Sequence, residues 1–281
     1  MKIKNIPPIP AVLLAIVSVQ GGAAIAKGIF PIMGPAGTVA LRIGLSAIML
    51  LAIHKPNFSK ITTKQWKLVA CYGLVLGAMN TAFYLSLSKI PLGLAVTLEF
   101  IGPLVLAIST SRKGLDLLWA LLAALGIAFI APWSGNNNNI DLIGAALALL
   151  AGAFWTAYIV IGGKLSQVMD GGKAVSIGLL VASIVAIPAG IIEGNLLQLN
   201  FTTLLMGLGI ALLSSAIPYT LEMNALKHIP AKTFSILMSL EPAVAAFCGL
   251  LFLHEQLSVY EWAAIALVVM ASTGATLSKT K

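Results

Sequence analysis

Charged residues interrupt this chain at long intervals and leave apolar runs between them. Asn5–Ala26, Leu68–Ser88, Leu117–Ile140, Leu142–Gly163, Ala174–Ile192, Gly194–Leu221 and Trp262–Ser278 contain no Asp, Glu, Lys or Arg. Most approach the roughly 20 residues that a membrane-crossing helix needs. Two further apolar stretches each enclose an acid, and one encloses Arg42. The pattern predicts an all-α membrane protein of ten transmembrane helices, near 9–28, 36–54, 67–88, 91–111, 115–133, 142–162, 174–192, 203–224, 231–253 and 258–277.

One of these stretches returns. IPLGLAVTLEFIGPLVLA, from Ile90 to Ala107, lies without a gap on IPAKTFSILMSLEPAVAA, from Ile229 to Ala246. Pro91 meets Pro230 and Pro103 meets Pro242, while Glu99 meets Met238 and Gly102 meets Glu241. The 139-residue register marks a duplication, with the polar SGNNNNID run (Ser134–Asp141) linking the halves 1–134 and 135–281. Each half holds five helices, so the second enters the membrane from the opposite face. An inverted repeat of this kind belongs to transporters, with the ligand site near the midplane.

Composition agrees and excludes other classes. The chain is 59% hydrophobic and 9% charged with a mean hydropathy of +1.00, against roughly 25% charged residues in a soluble domain. The net charge of +8 follows from topology. With both termini cytoplasmic, fourteen lysines and arginines fall inside, and only Lys27 and Lys89 outside. No soluble basic domain remains to bind nucleic acid. Lys2, Lys4 and the Ala24-Ile25-Ala26 run imitate a signal peptide, but the apolar run is long and its removal would spoil the repeat. Cys71 and Cys248 are expected at depths about 15–20 Å apart, unpaired, as small buried hydrophobes.

The candidate chemistry is mid-membrane. Glu99 lies about 12 Å and Glu241 about 15 Å from the nearer ends of their helices, in a core about 30 Å thick. A carboxylate there must face the bundle. Pro103 and Pro242 are expected to bend these helices and to free the carbonyls of Glu99 and Met238. The acids are candidate proton-coupling groups, since a buried glutamic acid can hold and release a proton; the alternative is a pair of protonated acids tying bent helices together. Arg42 is read either as an interfacial anchor or as a charge partner for an acid or a ligand carboxylate. Lys27 is an outer-end anchor or a second such partner. Gln20 shares a face with Lys27 beside Gly21 and Gly22, where glycines ordinarily mark close packing. Asn80 and Tyr84 are one turn apart, as are Trp155 and Tyr158. With Tyr219 they form the candidate substrate-binding set, against the plainer reading of core aromatics. Ser214, Ser215 and Glu222 accompany Pro218 and Tyr219, and Glu222 is expected near the inner end, paired with Lys227.

The segments SVQGGAAIAK (Ser18–Lys27), PLGLAVTLEFIGPL (Pro91–Leu104), IPYTLEMNAL (Ile217–Leu226) and LMSLEPAVAA (Leu237–Ala246) resemble the EamA repeats of the drug/metabolite transporter superfamily, most closely those of its threonine/homoserine exporters. The resemblance runs through nearly the whole chain. It implies a multi-pass inner-membrane exporter of small amino acids driven by the proton gradient. The residues themselves call for no cofactor and are compatible with a monomer or a homodimer. A drug or aromatic-metabolite exporter of the same superfamily would have a more aromatic cavity, and a nucleotide-sugar carrier more cations. For a membrane-embedded enzyme, His54, His228 and His254 all lie near segment ends, and no His/Asp/Glu set has metal-ligand spacing. No phosphate-binding glycine loop is present.

Overall fold

The computed structural model describes residues 6–109, 115–130, 141–193, 199–229, 234 and 237–278. Among them every regular element is a helix, as backbone groups facing hydrocarbon require. In chain order these are α1 (Pro8–Gly28), α2 (Phe30–His54), α3 (Thr63–Leu87), α4 (Leu92–Glu99), α5 (Ile101–Ser109), α6 (Leu115–Ile130), α7 (Leu142–Val168), α8 (Gly171–Glu193), α9 (Phe201–Ala211), α10 (Ile217–His228), α11 (Glu241–Leu253) and α12 (Val259–Ser278). α9 and α10 are one span joined by a π-helical turn over Leu212–Ala216. Among the described residues six spans are long and apolar enough to cross a membrane, and shorter apolar helices accompany them. The linker Ser134–Ile140, the expected start of the ninth span at residue 231, and Lys2, Lys4, Arg112, Lys113, Lys232, Lys279 and Lys281 lie outside the described residues.

The boundaries have local causes. Pro8 sits in the first turn of α1, where its missing N–H costs nothing. Thr62 and Gln65 form a capping box at α3, and Asn200 and Thr203 exchange the same bonds at α9. Asp141 caps α7 by accepting from the Gly144 N–H at 2.8 Å, and Lys89 lies 3.3 Å from its carboxylate. The Gly144 bond first, and Lys89 with it, hold the Asp141 carboxyl below its ordinary value.

α2 begins at Phe30, six residues before the expected start, and bends at Gly34. Gly34 has φ 66°, which glycine adopts freely, and Pro35 bars it from helical geometry. The helix restarts with the Gly37 N–H donating to Glu193 Oε2 at 3.0 Å, so the end of α8 caps the straight part of α2.

The expected bends at Pro103 and Pro242 are present as short interruptions, across which Phe100 and Leu240 keep right-handed helical backbone. α4 ends at Glu99 and α5 starts at Ile101, and residues 239–240 interrupt helix between Met238 and Glu241. Each proline thereby falls in the first turn of the following segment, where no intrahelical N–H is required of it. The two breaks occupy matching positions in the 139-residue register.

Packing is layered. α2 lies on α8, α3 on α7 and α8, α1 on α10 and α11, and α4 on α7 and α11. α6 and α12 pair at the periphery over a small separate cluster of Leu104, Ala123 and Ala271. The break between α4 and α5 lies flat on α7: a Cβ at Gly152 would strike the carbonyl of Glu99, and one at Gly102 the carbonyl of Gly152. Ile192, Phe201 and Val259 are among many large apolar side chains on the outer surface, a pattern suited to lipid. The chain is a multi-pass membrane protein.

Candidate functional site

The site forms where the regular helices fail. In the π turn the backbone bonds i to i+5, and the Ile217 N–H reaches Leu212 O. Pro218 has no N–H to return to Ser214 O, four residues earlier. Side chains from α1 and α2 take up these carbonyls. Ser18 Oγ donates to Leu213 O at 2.6 Å, Ser46 Oγ lies 2.9 Å from Ala211 O, and Arg42 Nη1 donates to Ser214 O at 2.7 Å.

Arg42 is 2% exposed and does not reach an interface. Nη1 also lies 2.9 Å from Ser215 Oγ, Nη2 donates to Asn80 Oδ1, and the guanidinium stands 4.7 Å from the centroid of the Tyr84 ring. Its partners are all neutral; among the described residues no carboxylate lies within 4.0 Å of it. Asn80 Nδ2 donates to Leu76 O at 2.8 Å, which turns Oδ1 toward Arg42, and the Tyr219 hydroxyl donates to the same oxygen at 3.2 Å.

These groups line one partly open cavity within the bundle. α1 contributes Gln20, α2 Arg42, α3 Asn80 and Tyr84, and the end of α4 Glu99. α7 contributes Trp155 and Tyr158, the π turn Ser214, α10 Tyr219 and Glu222, and the first turn of α11 Glu241. The space among them is about 60 Å3, room for a few waters or a compact solute. Trp155 meets Phe100 edge-on at 5.2 Å between centroids, and Tyr158 lies 5.1 Å from Tyr72 and 6.2 Å from Tyr219. The lining therefore brings one guanidinium, several hydroxyls, three carboxyls and aromatic rings to one space. Among the described residues no His, Cys, Asp and Glu group is arranged to hold a metal ion.

Glu222 is the departure from expectation. It is 5% exposed and faces the cavity, whereas pairing with Lys227 was expected. It follows Tyr219 by three residues and shares its helix face, a signal present in the sequence. Lys27 does not line the cavity. At the end of α1 its Nζ donates to Ile90 O at 2.8 Å and to Glu255 Oε1 at 2.6 Å, and Glu255 Oε2 accepts from the Leu92 N–H at 2.8 Å. Pro103 and Pro242 shape the breaks that present Glu99 and Glu241. Cys248 is buried but Cys71 is exposed, so Cys71 is not a core residue; both are free thiols.

Residues 142–277 match the model of the EamA-like transporter family. The threonine/homoserine exporter RhtA of Salmonella typhimurium (strain LT2) is 42% identical over 271 residues, covering 96% of this chain and 92% of its own. RhtA of Escherichia coli (strain K12) is 42% identical over 274 residues, covering 98% and 92%. A crystal structure with only 16% identity shares the fold, at a TM-score of 0.65 over 97% of this chain and 99% of that one. With identity sustained across nearly the whole length of both relatives, this chain belongs to the EamA-like transporter family, alongside the threonine/homoserine exporters.

Proposed function

We propose that this chain exports small amino acids of the threonine and homoserine kind across the inner membrane by alternating access, with protons moving in the opposite direction. The observation that carries the reading is the meeting of three carboxyls, Glu99, Glu222 and Glu241, with one guanidinium in a single compact cavity inside the bundle. Such a site offers acceptors and aromatic faces to an ammonium group, and donors to a carboxylate. A volume of about 60 Å3 suits a small zwitterion better than a dye or a polyaromatic drug. The names of the 42%-identical relatives point the same way.

Alternating access draws on the repeat. Exchanging the halves carries the contact of α3 with α7 onto that of α10 with α1, and the contact of α1 with α11 onto that of α7 with the α4–α5 span. The pairs α2 with α8 and α6 with α12 map onto themselves. These exchanges, and the matched breaks, favour two inverted five-helix halves that rock about the cavity. The lysine distribution favours cytoplasmic termini. In the transport cycle a proton from outside neutralises a cavity glutamate and loosens the ammonium group, so the substrate leaves outward. The protonated, empty carrier then returns and releases the proton inside.

Counterflow of labelled threonine in proteoliposomes, with unlabelled amino acids and a dye panel as competitors, tests the substrate class. Competition by homoserine and threonine but not by dyes is expected; the reverse would favour the drug-exporter reading. An imposed pH gradient should accelerate net export, and equal rates with and without it would remove the proton from the cycle.

A further inference from the structure

Among the described residues Arg42 has no carboxylate in direct contact, although three share its cavity. Burying a guanidinium costs several kcal/mol unless a counterion or a full set of acceptors offsets it, and here the acceptors are one carbonyl, one hydroxyl and one amide oxygen. Its Nε–H is buried without a partner. Two buried hydroxyls lie beside it, Tyr84 Oη and Ser214 Oγ, which face each other and bond to no other side chain. All three residues line the cavity. They are also tied to one another, because Arg42 stands over the Tyr84 ring and bonds the Ser214 carbonyl. A native interior leaves few polar atoms unsatisfied, so an unpaired N–H on a buried cation, beside two hydroxyls with no partner but each other, is a specific arrangement.

The geometry points to a carboxylate-binding cradle formed by Arg42 Nε, Tyr84 Oη and Ser214 Oγ, which takes the α-carboxylate of the transported amino acid. All three groups can donate, and a carboxylate has about four lone-pair sites and no proton to give. The three acids of the cavity come from α4, α10 and α11, so the ammonium end of the same molecule meets its acceptors on other elements. The cradle rests on the amino-acid reading above and assigns which wall takes which end of the substrate. It chooses Arg42 over Lys27 for the carboxylate, because the Lys27 ammonium is already committed to Glu255 and Ile90. It also gives Ser214 a role that its place beside Gly22 in the packing of α1 does not require.

The test is direct binding to the purified full-length protein in detergent, by calorimetry, with three probes. Threonine has both charged ends, threoninol lacks the carboxylate, and 3-hydroxybutyrate lacks the ammonium. Wild type should bind threonine at least about tenfold more tightly than threoninol, since hydrogen bonds to charged groups are individually strong. Ser214→Ala and Tyr84→Phe remove one donor each with little change of shape. Each should weaken threonine and 3-hydroxybutyrate about tenfold and leave threoninol within about twofold, a selectivity that general damage to the fold would not produce. Equal losses for threonine and threoninol in both variants, or wild-type threoninol binding as tight as threonine, would overturn the cradle while leaving amino-amine recognition intact. Binding of 3-hydroxybutyrate that is sensitive to Ser214→Ala, without any threonine binding, would keep the cradle and overturn the amino-acid reading. Failure of all three probes to bind would sink both.

Discussion

The Tyr219 hydroxyl donates to Asn80 Oδ1 at 3.2 Å, and the two residues stand 139 positions apart, the interval that carries Pro91 onto Pro230. Thr81 and Thr220, the next residues of each helix, bond back to Gly77 O and Ala216 O at 2.8 and 2.6 Å. In the proposed inverted repeat, equivalent residues meet where its axis passes, and this pair lies beside the cavity. Arg42 completes the junction through the same amide oxygen.

That junction gives the first prediction. Asn80→Asp supplies Arg42 with a fixed counterion in place of a neutral acceptor. The variant should melt a few degrees higher in detergent, because a buried charge gains its partner. Threonine transport should fall at least about tenfold, since a substrate carboxylate must now compete with an internal one. Thermal unfolding and counterflow on the same preparation check both halves. Unchanged transport would show that Arg42 does not meet the substrate.

The acids separate coupling from binding. Glu222→Gln and Glu241→Gln keep the volume of the side chain and cannot carry a proton. One of the two should lower gradient-driven export by about tenfold or more while exchange without a gradient persists, as expected of a proton-carrying intramembrane acid. Export and exchange are read on one set of proteoliposomes. If both variants and Glu99→Gln couple like wild type, the proton does not travel on these groups.

Gly152 limits how closely α7 can lie against the break after Glu99. Gly152→Ala puts a methyl into the Glu99 carbonyl, where backbone rather than a yielding side chain must move. Overpacking of this kind costs about 1–3 kcal/mol or more. The variant should lose several degrees of melting temperature in detergent, and an unchanged melting curve would mean that the break moves freely. Gly163→Ala is the control, because a Cβ there meets nothing within 4 Å.

Lys27 and Glu255 join the end of α1 to the start of α4 and to the loop after α11, at 20% and 15% side-chain exposure. Lys27→Met leaves the partly buried Glu255 carboxylate with the Leu92 N–H as its remaining partner. It should destabilise by about 1–3 kcal/mol, less than a fully buried pair would. Adding Glu255→Gln should restore part of the loss, because the unpaired charge is gone. Unfolding measured for the single and double variants decides it, and additive losses would show that the pair does not act as a unit.

Much of this was legible before any coordinates. Apolar runs located the spans because bilayer thickness fixes their length, and depth along the helix placed Glu99 and Glu241 in the interior. What escaped was decided between helices. Nothing near Lys27 names Glu255, 228 residues away. Lys227, five residues on, suggests an ion pair for Glu222, but the helix face it shares with Tyr219 carries it to the cavity. The prolines announce the bends at Phe100 and at residues 239–240, but that Gly152 of α7 lies against the first of them is decided by the partner helix. Gly34 and Pro35 hid six residues of α2, because the capping carboxylate that lets the helix restart comes from Glu193, on another helix.

The wide turn at Leu212–Ala216 has a consequence for the whole second half of its span. A π turn holds one residue more than the α turn it replaces, and each residue of an α-helix advances the winding by about 100°. Everything downstream is therefore rotated by that angle relative to an uninterrupted rod. Removing a single residue between 212 and 216 would straighten the helix and swing Tyr219 and Glu222 away from the cavity, so that one extra amino acid keeps the phenol and the carboxyl pointed into it.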